Sequence, residues 1–186
     1  MRLAVVMALG GLAPVGLAGC ATTAAQPVAT PAIAGATRCF AGTGETMARR
    51  PPNPPGELFT YRAVVMRTTD PGTGAIDELR TREDGDRPAH VDERWSLRPD
   101  GDRFVLAIGE AVVPGATARD GGAWEFVGRE ITIEERLDGE TLDTHYQERD
   151  GGRALRAERH ERLVPIDCAD YRARRAELAS PRGRVE

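Results

Sequence analysis

Six aspartate-glycine turn signals stand between Glu57 and Pro165: Asp70-Pro71-Gly72, Asp84-Gly85-Asp86, Asp100-Gly101-Asp102, Asp120-Gly121-Gly122, Asp138-Gly139 and Asp150-Gly151-Gly152. Asp-Gly accepts the positive φ that two-residue hairpin loops require. The intervals leave room for strands but not for crossover helices, so the fold class is all-β, an antiparallel meander. Alternation agrees: Phe59, Tyr61, Ala63 and Val65 share one parity, as do Val91, Trp95 and Leu97, then Phe104, Leu106 and Ile108. This predicts about eight strands, near residues 58–68, 76–83, 89–98, 103–112, 122–128, 130–137, 140–148 and 154–164. The last also has high helix propensity and is assigned as strand from the turn before it. Trp124 and Phe126 are even while Ile131, Ile133 and Leu137 are odd, so the register changes at Gly128-Arg129. Such a bulge or turn curves a sheet toward a barrel. A single helix is expected at about 167–179, with Asp167 as N-cap, Asp170 in the first turn, Cys168, Tyr171, Arg175 and Leu178 along one stripe, and Pro181 as a stop.

The chain begins with Met1-Arg2 and an apolar run from Leu3 to Leu17, broken by Gly and Pro and too short to span as a stable helix. It ends in Leu17-Ala18-Gly19-Cys20, which resembles the lipobox of bacterial lipoproteins. The resemblance covers the first twenty residues and implies a signal peptide at 1–19, a diacylglycerol on the Cys20 thiol, and an acylated new amino terminus. Ala21 in place of Asp implies, by that family's sorting rule, the outer membrane and its periplasmic face. Two or more acyl chains suffice for stable attachment. The alternative is an ordinary secretory signal followed by an unmodified cysteine. Residues 20–36 then read as anchor and tether, since ATTAAQPVATPAIAGA has neither charge nor period and cannot bury a core. Its reach is about 20 Å. A single domain is expected over 37–180, with a tail at 181–186. Arg49-Arg50-Pro51-Pro52-Asn53-Pro54-Pro55 reads as an extended surface loop.

Composition removes several function classes. The formal charge of −4 argues against nucleic acid as a partner. No lysine is present, which excludes Schiff-base chemistry and the P-loop lysine. Of the two serines, Ser96 lies within an expected strand rather than at a nucleophile elbow, and Ser180 follows the helix. Cys39 and Cys168 read as a disulfide in an exported chain, stabilising by roughly 4 to 5 kcal/mol if it closes without strain. His90, His145 and His160 lack metal-site spacing, and alternation turns the last two toward solvent. Gly42-Thr43-Gly44 and Gly72-Thr73-Gly74 lack the third glycine and following helix of a phosphate loop. No catalytic residue, metal site or cofactor is assigned.

Parity supplies the one constellation with chemistry in it. Glu93 shares a face with Val91, Trp95 and Leu97; Glu135 with Ile131, Ile133 and Leu137; Arg159 and Glu161 with Leu155, Ala157 and Leu163. Inward charges must be paired, bound to a ligand or reached by water. Arg159 is expected to pair with one of the three carboxylates, leaving surplus ones with raised pKa values. The competing reading puts these residues at open strand ends or on a solvated face. The candidate ligand-binding set is Glu93, Trp95, Trp124, Phe126, Glu135, Tyr146, Arg159 and Glu161. Arg172, Arg174, Arg175, Arg182 and Arg184 form a basic cluster, read as helix-end charge compensation or as a contact for anionic lipid.

Three functional readings follow. The first is a lipid-anchored, non-enzymatic binding or accessory module for another envelope protein. The second, from architectural likeness to lipocalins without their signature residues, is a carrier of an apolar or amphipathic small molecule. The third is an envelope hydrolase using Glu93, Glu135 or Glu161 as acid and base.

Overall fold

The computed structural model describes residues 35–48, 57–83, 90–119, 122–151 and 153–180. The signal peptide, Cys20, nearly all of the tether, the proline-rich stretch, the Asp84-Gly85-Asp86 turn and the tail lie outside the described residues. The strands are β1 (Ala36–Ala48), β2 (Glu57–Thr69), β3 (Ile76–Glu83), β4 (His90–Asp100), β5 (Arg103–Ile108), β6 (Ala111–Ala118), β7 (Trp124–Val127), β8 (Ile131–Asp138), β9 (Thr141–Asp150) and β10 (Ala154–Ile166), followed by helix α1 (Cys168–Ala179). All pairings are antiparallel between neighbours in sequence, and β1 pairs with β10, so the meander closes into a barrel. Closure removes the open edges that would otherwise template aggregation.

Ten strands replace the expected eight, for two reasons. The segment expected at 103–112 is two strands, because Gly109 takes φ 58° and, with Glu110, turns the chain between β5 and β6. The turn carries no Asp-Gly signal, and so reads as part of a continuous strand. The other addition is β1, where no strand was expected. Its inward positions Gly42 and Gly44 are flat places on the wall: a Cβ on Gly44 would stand 2.4 Å from the Tyr61 ring, which lies across it. The register change at Gly128 is a tight turn between β7 and β8, where the Gly128 amide donates to the Ile131 carbonyl at 2.8 Å. The 154–164 segment is strand, within β10.

The inward residues form two apolar clusters. One gathers Ile76, Trp95, Leu97, Leu106, Trp124, Phe126 and Ile133, with Trp95 and Trp124 edge to face at 6.0 Å. The other gathers Phe40, Tyr61, Ala63, Val65, Leu142 and Leu163. Full burial of each large aliphatic side chain contributes about 1.5–3 kcal/mol. Outside the wall, α1 lays Tyr171 and Leu178 onto Cys39, Ala41 and Val64 of β1 and β2. Asp167 caps it, accepting from the Ala169 amide at 2.9 Å, and the Cys39–Cys168 disulfide, with Cα atoms 5.1 Å apart, fastens its first residue to β1. Arg175 anchors it further, donating to Asp92 at 2.9 Å. The arginines at 172, 174 and 175 all precede the last turn, which holds no basic residue, so helix-end compensation does not account for them.

Candidate functional site

Charged side chains run along the inside of the barrel, joining the two apolar clusters. Near the end formed by the β2–β3 and β6–β7 turns, Arg67 donates to the Gly122 carbonyl and, at 2.5 Å, to Glu135. Glu78 from β3 lies 3.5 Å from Arg67 and 2.5 Å from Arg80. Arg80 is the hub: it reaches Glu78 at 2.5 Å, Glu135 at 2.8 Å, Glu161 at 2.6 Å and the Thr144 hydroxyl at 2.9 Å, with its guanidinium 4.3 Å over the Trp95 ring. The Trp124 indole donates to Glu135 and the Tyr61 hydroxyl to Glu161, both at 2.8 Å. Glu78 and Glu135 are fully buried.

These contacts set the protonation states. Burial, then the neighbouring Glu135 charge, pushes Glu78 up to about 7. Burial would raise Glu135 as well, but Arg67 and Arg80 outweigh it and hold that carboxyl below its ordinary range. Glu161 is held low in the same way, chiefly by Arg80 against burial. Burial, with the adjacent Glu161, raises Tyr61, which keeps it a hydrogen-bond donor.

Toward the opposite end, where β3 finishes and β4 and β10 begin, the pattern loosens. Glu93 accepts from the Trp95 indole at 3.1 Å, Arg82 at 3.2 Å and Arg159 at 3.4 Å. Arg159 sits 4.4 Å over the Tyr146 ring and Arg82 5.9 Å from that of Tyr61. These groups are partly open to solvent, with side-chain exposures of 19% for Arg82, 20% for Glu93 and 14% for Arg159. Glu93 is nonetheless held below its ordinary range, because Arg159 and Arg82 outweigh burial.

The structure turns all four charged candidates inward, and Arg159 pairs with one of the three carboxylates, Glu93, as expected. Glu135 and Glu161 bond to Arg80, and the surplus carboxylates expected to have raised pKa values are lowered instead, since Arg67, Arg80 and Arg82 supply cations the sequence reading did not count. Trp95 and Trp124 each donate to a carboxylate, Tyr146 underlies Arg159, and Phe126 packs among apolar side chains. The missed residues are Arg67, Glu78, Arg80, Arg82 and Thr144. Their signal was parity carried past the last apolar residue: Val65 to Arg67, and Ile76 to Glu78, Arg80 and Arg82.

The outer wall has a different character. On β8, β9 and β10 a shallow cleft of about 440 Å³ is lined by Glu134, Arg136, Asp143, His145, Glu158 and His160. The two imidazoles are cross-strand neighbours with centroids 6.1 Å apart, each bonded to a carboxylate: His145 to Glu158 at 2.7 Å and His160 to Asp143 at 2.8 Å. Among the described residues no cluster is arranged to hold a metal ion. Grooves of about 790 and 320 Å³ flank α1, the larger floored by Met66, Leu79 and Tyr171 and rimmed by Arg172 and Arg175. No protein-family model matches the chain, and no curated protein matches it.

Proposed function

We propose that the protein is an envelope lipoprotein, held by acylated Cys20 at the periplasmic face of the outer membrane, whose barrel is a non-enzymatic binding or accessory module. The observation that carries the module reading is the lumen itself. Its aromatic residues are packed, Arg67 and Arg80 are set among Glu78, Glu135 and Glu161, and Arg82 and Arg159 converge on Glu93, so the interior is filled and charged rather than shaped for an apolar cargo. The anchor reading rests on Leu17-Ala18-Gly19-Cys20. The outer wall supports it: a lipid-facing band does not carry Glu134, Asp143, His145 and His160 on neighbouring strands, so the barrel needs a tether rather than a bilayer around it. Glu93, Glu135 and Glu161, the carboxylates of the hydrolase reading, are poor candidates for acid-base chemistry, because they are tied to arginines and held ionised.

Native and denaturing mass spectrometry of the membrane-extracted protein tests both parts. The expected result is a chain beginning at Cys20 with the added mass of its acyl groups, and no apolar molecule released on denaturation. A chain of unmodified mass overturns the anchor; an apolar molecule that leaves on denaturation overturns the module in favour of the carrier.

A further inference from the structure

The deep and the outer parts of the lumen differ in the ratio of arginines to carboxylates and in how closely they approach. In the deep part Arg67 and Arg80 face three carboxylates, Glu78, Glu135 and Glu161, and the Arg80 bonds to them run from 2.5 to 2.8 Å. At the mouth the ratio inverts. Arg82 arrives from the strand beside Glu93 and Arg159 from across the lumen, and with the Trp95 indole they converge on that one carboxylate at 3.1 to 3.4 Å. Arg82 also has a buried Nε without a hydrogen-bond partner. Other described pairs on β9 and β10 near this end, Arg156 with Glu148 at 3.9 Å and His145 with Glu158 at 2.7 Å, lie apart from the Glu93 contacts.

A half-buried positive charge with unspent N–H donors is costly unless an anion completes it. Tyr146 lies beneath Arg159 and Tyr61 beside Arg82, and a guanidinium edge is shaped for a carboxylate or a phosphate. We propose that the mouth formed by Arg82, Glu93 and Arg159 is a binding site for a small organic oxyanion, a carboxylate or phosphate monoester, which bridges the two arginines beside Glu93. This deepens the binding-module reading and rests on it. The ligand's charged end occupies the mouth, and the packed clusters below keep the remainder out of the lumen.

Two indoles make the test internal to the protein. The Trp95 N–H is bonded to Glu93 at the mouth, and the Trp124 N–H to Glu135 in the deep cluster. The lipidated chain in detergent micelles is labelled with nitrogen-15 and titrated with acetate, methyl phosphate and, as a neutral control, acetamide, up to about 50 mM. The Trp95 indole resonance is expected to move saturably with an oxyanion and to ignore acetamide, while that of Trp124 stays in place. The tighter of acetate and methyl phosphate identifies the ligand's charged group. Arg159→Gln is expected to weaken binding at least about tenfold, and Glu93→Gln, which removes the competing carboxylate, to tighten it by about tenfold. A Trp95 resonance that ignores both anions overturns the site, as does movement of both indoles together, or Glu93→Gln binding more weakly. None of these outcomes touches the module reading, which falls only if the mass spectrum reveals an apolar cargo.

Discussion

Arginine and glutamate pair on both sides of the barrel wall at similar distances. Inside, Arg80 holds Glu78, Glu135 and Glu161 at 2.5 to 2.8 Å; outside, Arg62 holds Glu83 and Glu177, both at 2.8 Å. Arg80 is 5% exposed and Arg62 40%, and that difference decides what each is worth. Water replaces a lost partner outside at little cost, whereas inside nothing does, and a single deletion takes a charged donor from three carboxylates. Geometry alone would rank the two clusters as equals; burial separates them.

The sharpest way to break this comparison is Arg80→Met. It should lower the unfolding free energy by about 3–5 kcal/mol in urea titration, and a loss below about 1 kcal/mol would put the lumen on the same footing as the surface. Next comes the one strong bond of the outer wall. Replacing both Cys39 and Cys168 by Ser should cost about 2–4 kcal/mol, because it frees α1 from β1 and opens a loop spanning 129 residues. Gly44→Ala pushes the Tyr61 ring off the wall and away from Glu161, and should cost about 1–3 kcal/mol by the same titration. Arg136→Ala, which removes an exposed pair with Glu134, should cost less than about 1 kcal/mol.

Much of the barrel was legible because its turns are written in Asp-Gly and its strands alternate. Helix α1 was legible too, since Asp167 and the stripe through Tyr171 and Leu178 state where it starts and which face it buries. The turn at Gly109-Glu110 and the strand β1 were not: the first lacks the aspartate, and the second replaces inward side chains with Gly42 and Gly44, whose partners are supplied by Tyr61 and Leu163 from other strands. The lumen was half legible for a related reason. Glu93, Glu135, Arg159 and Glu161 stand between apolar residues of their own strand, so alternation marks them as inward. Glu78, Arg80 and Arg82 follow Ile76 alone, and Leu79, which lies against the outer groove, breaks the apparent pattern. Their direction is fixed by which wall α1 covers, information no local window holds.

The deep lumen is a charge network built from the protein's own groups, with Glu78 as its protonated member. The unfolding free energy as a function of pH tests it most directly. Burial and Glu135 raise Glu78 from 4.5 to about 7, so between those values the folded chain keeps a proton the unfolded chain has released. Stability from Glu78 therefore falls as pH rises through that window, by on the order of 3 kcal/mol. Glu93, Glu135 and Glu161 are held low; their stability is present above 4.5 and is lost as pH falls through their depressed values. Stability is expected to peak near pH 5 and to decline as pH rises through about 7, and a Glu78→Gln variant is expected to lose most of that decline. Wild-type stability that climbs from pH 5 to pH 8, or a Glu78→Gln variant that declines as steeply as wild type, would contradict it.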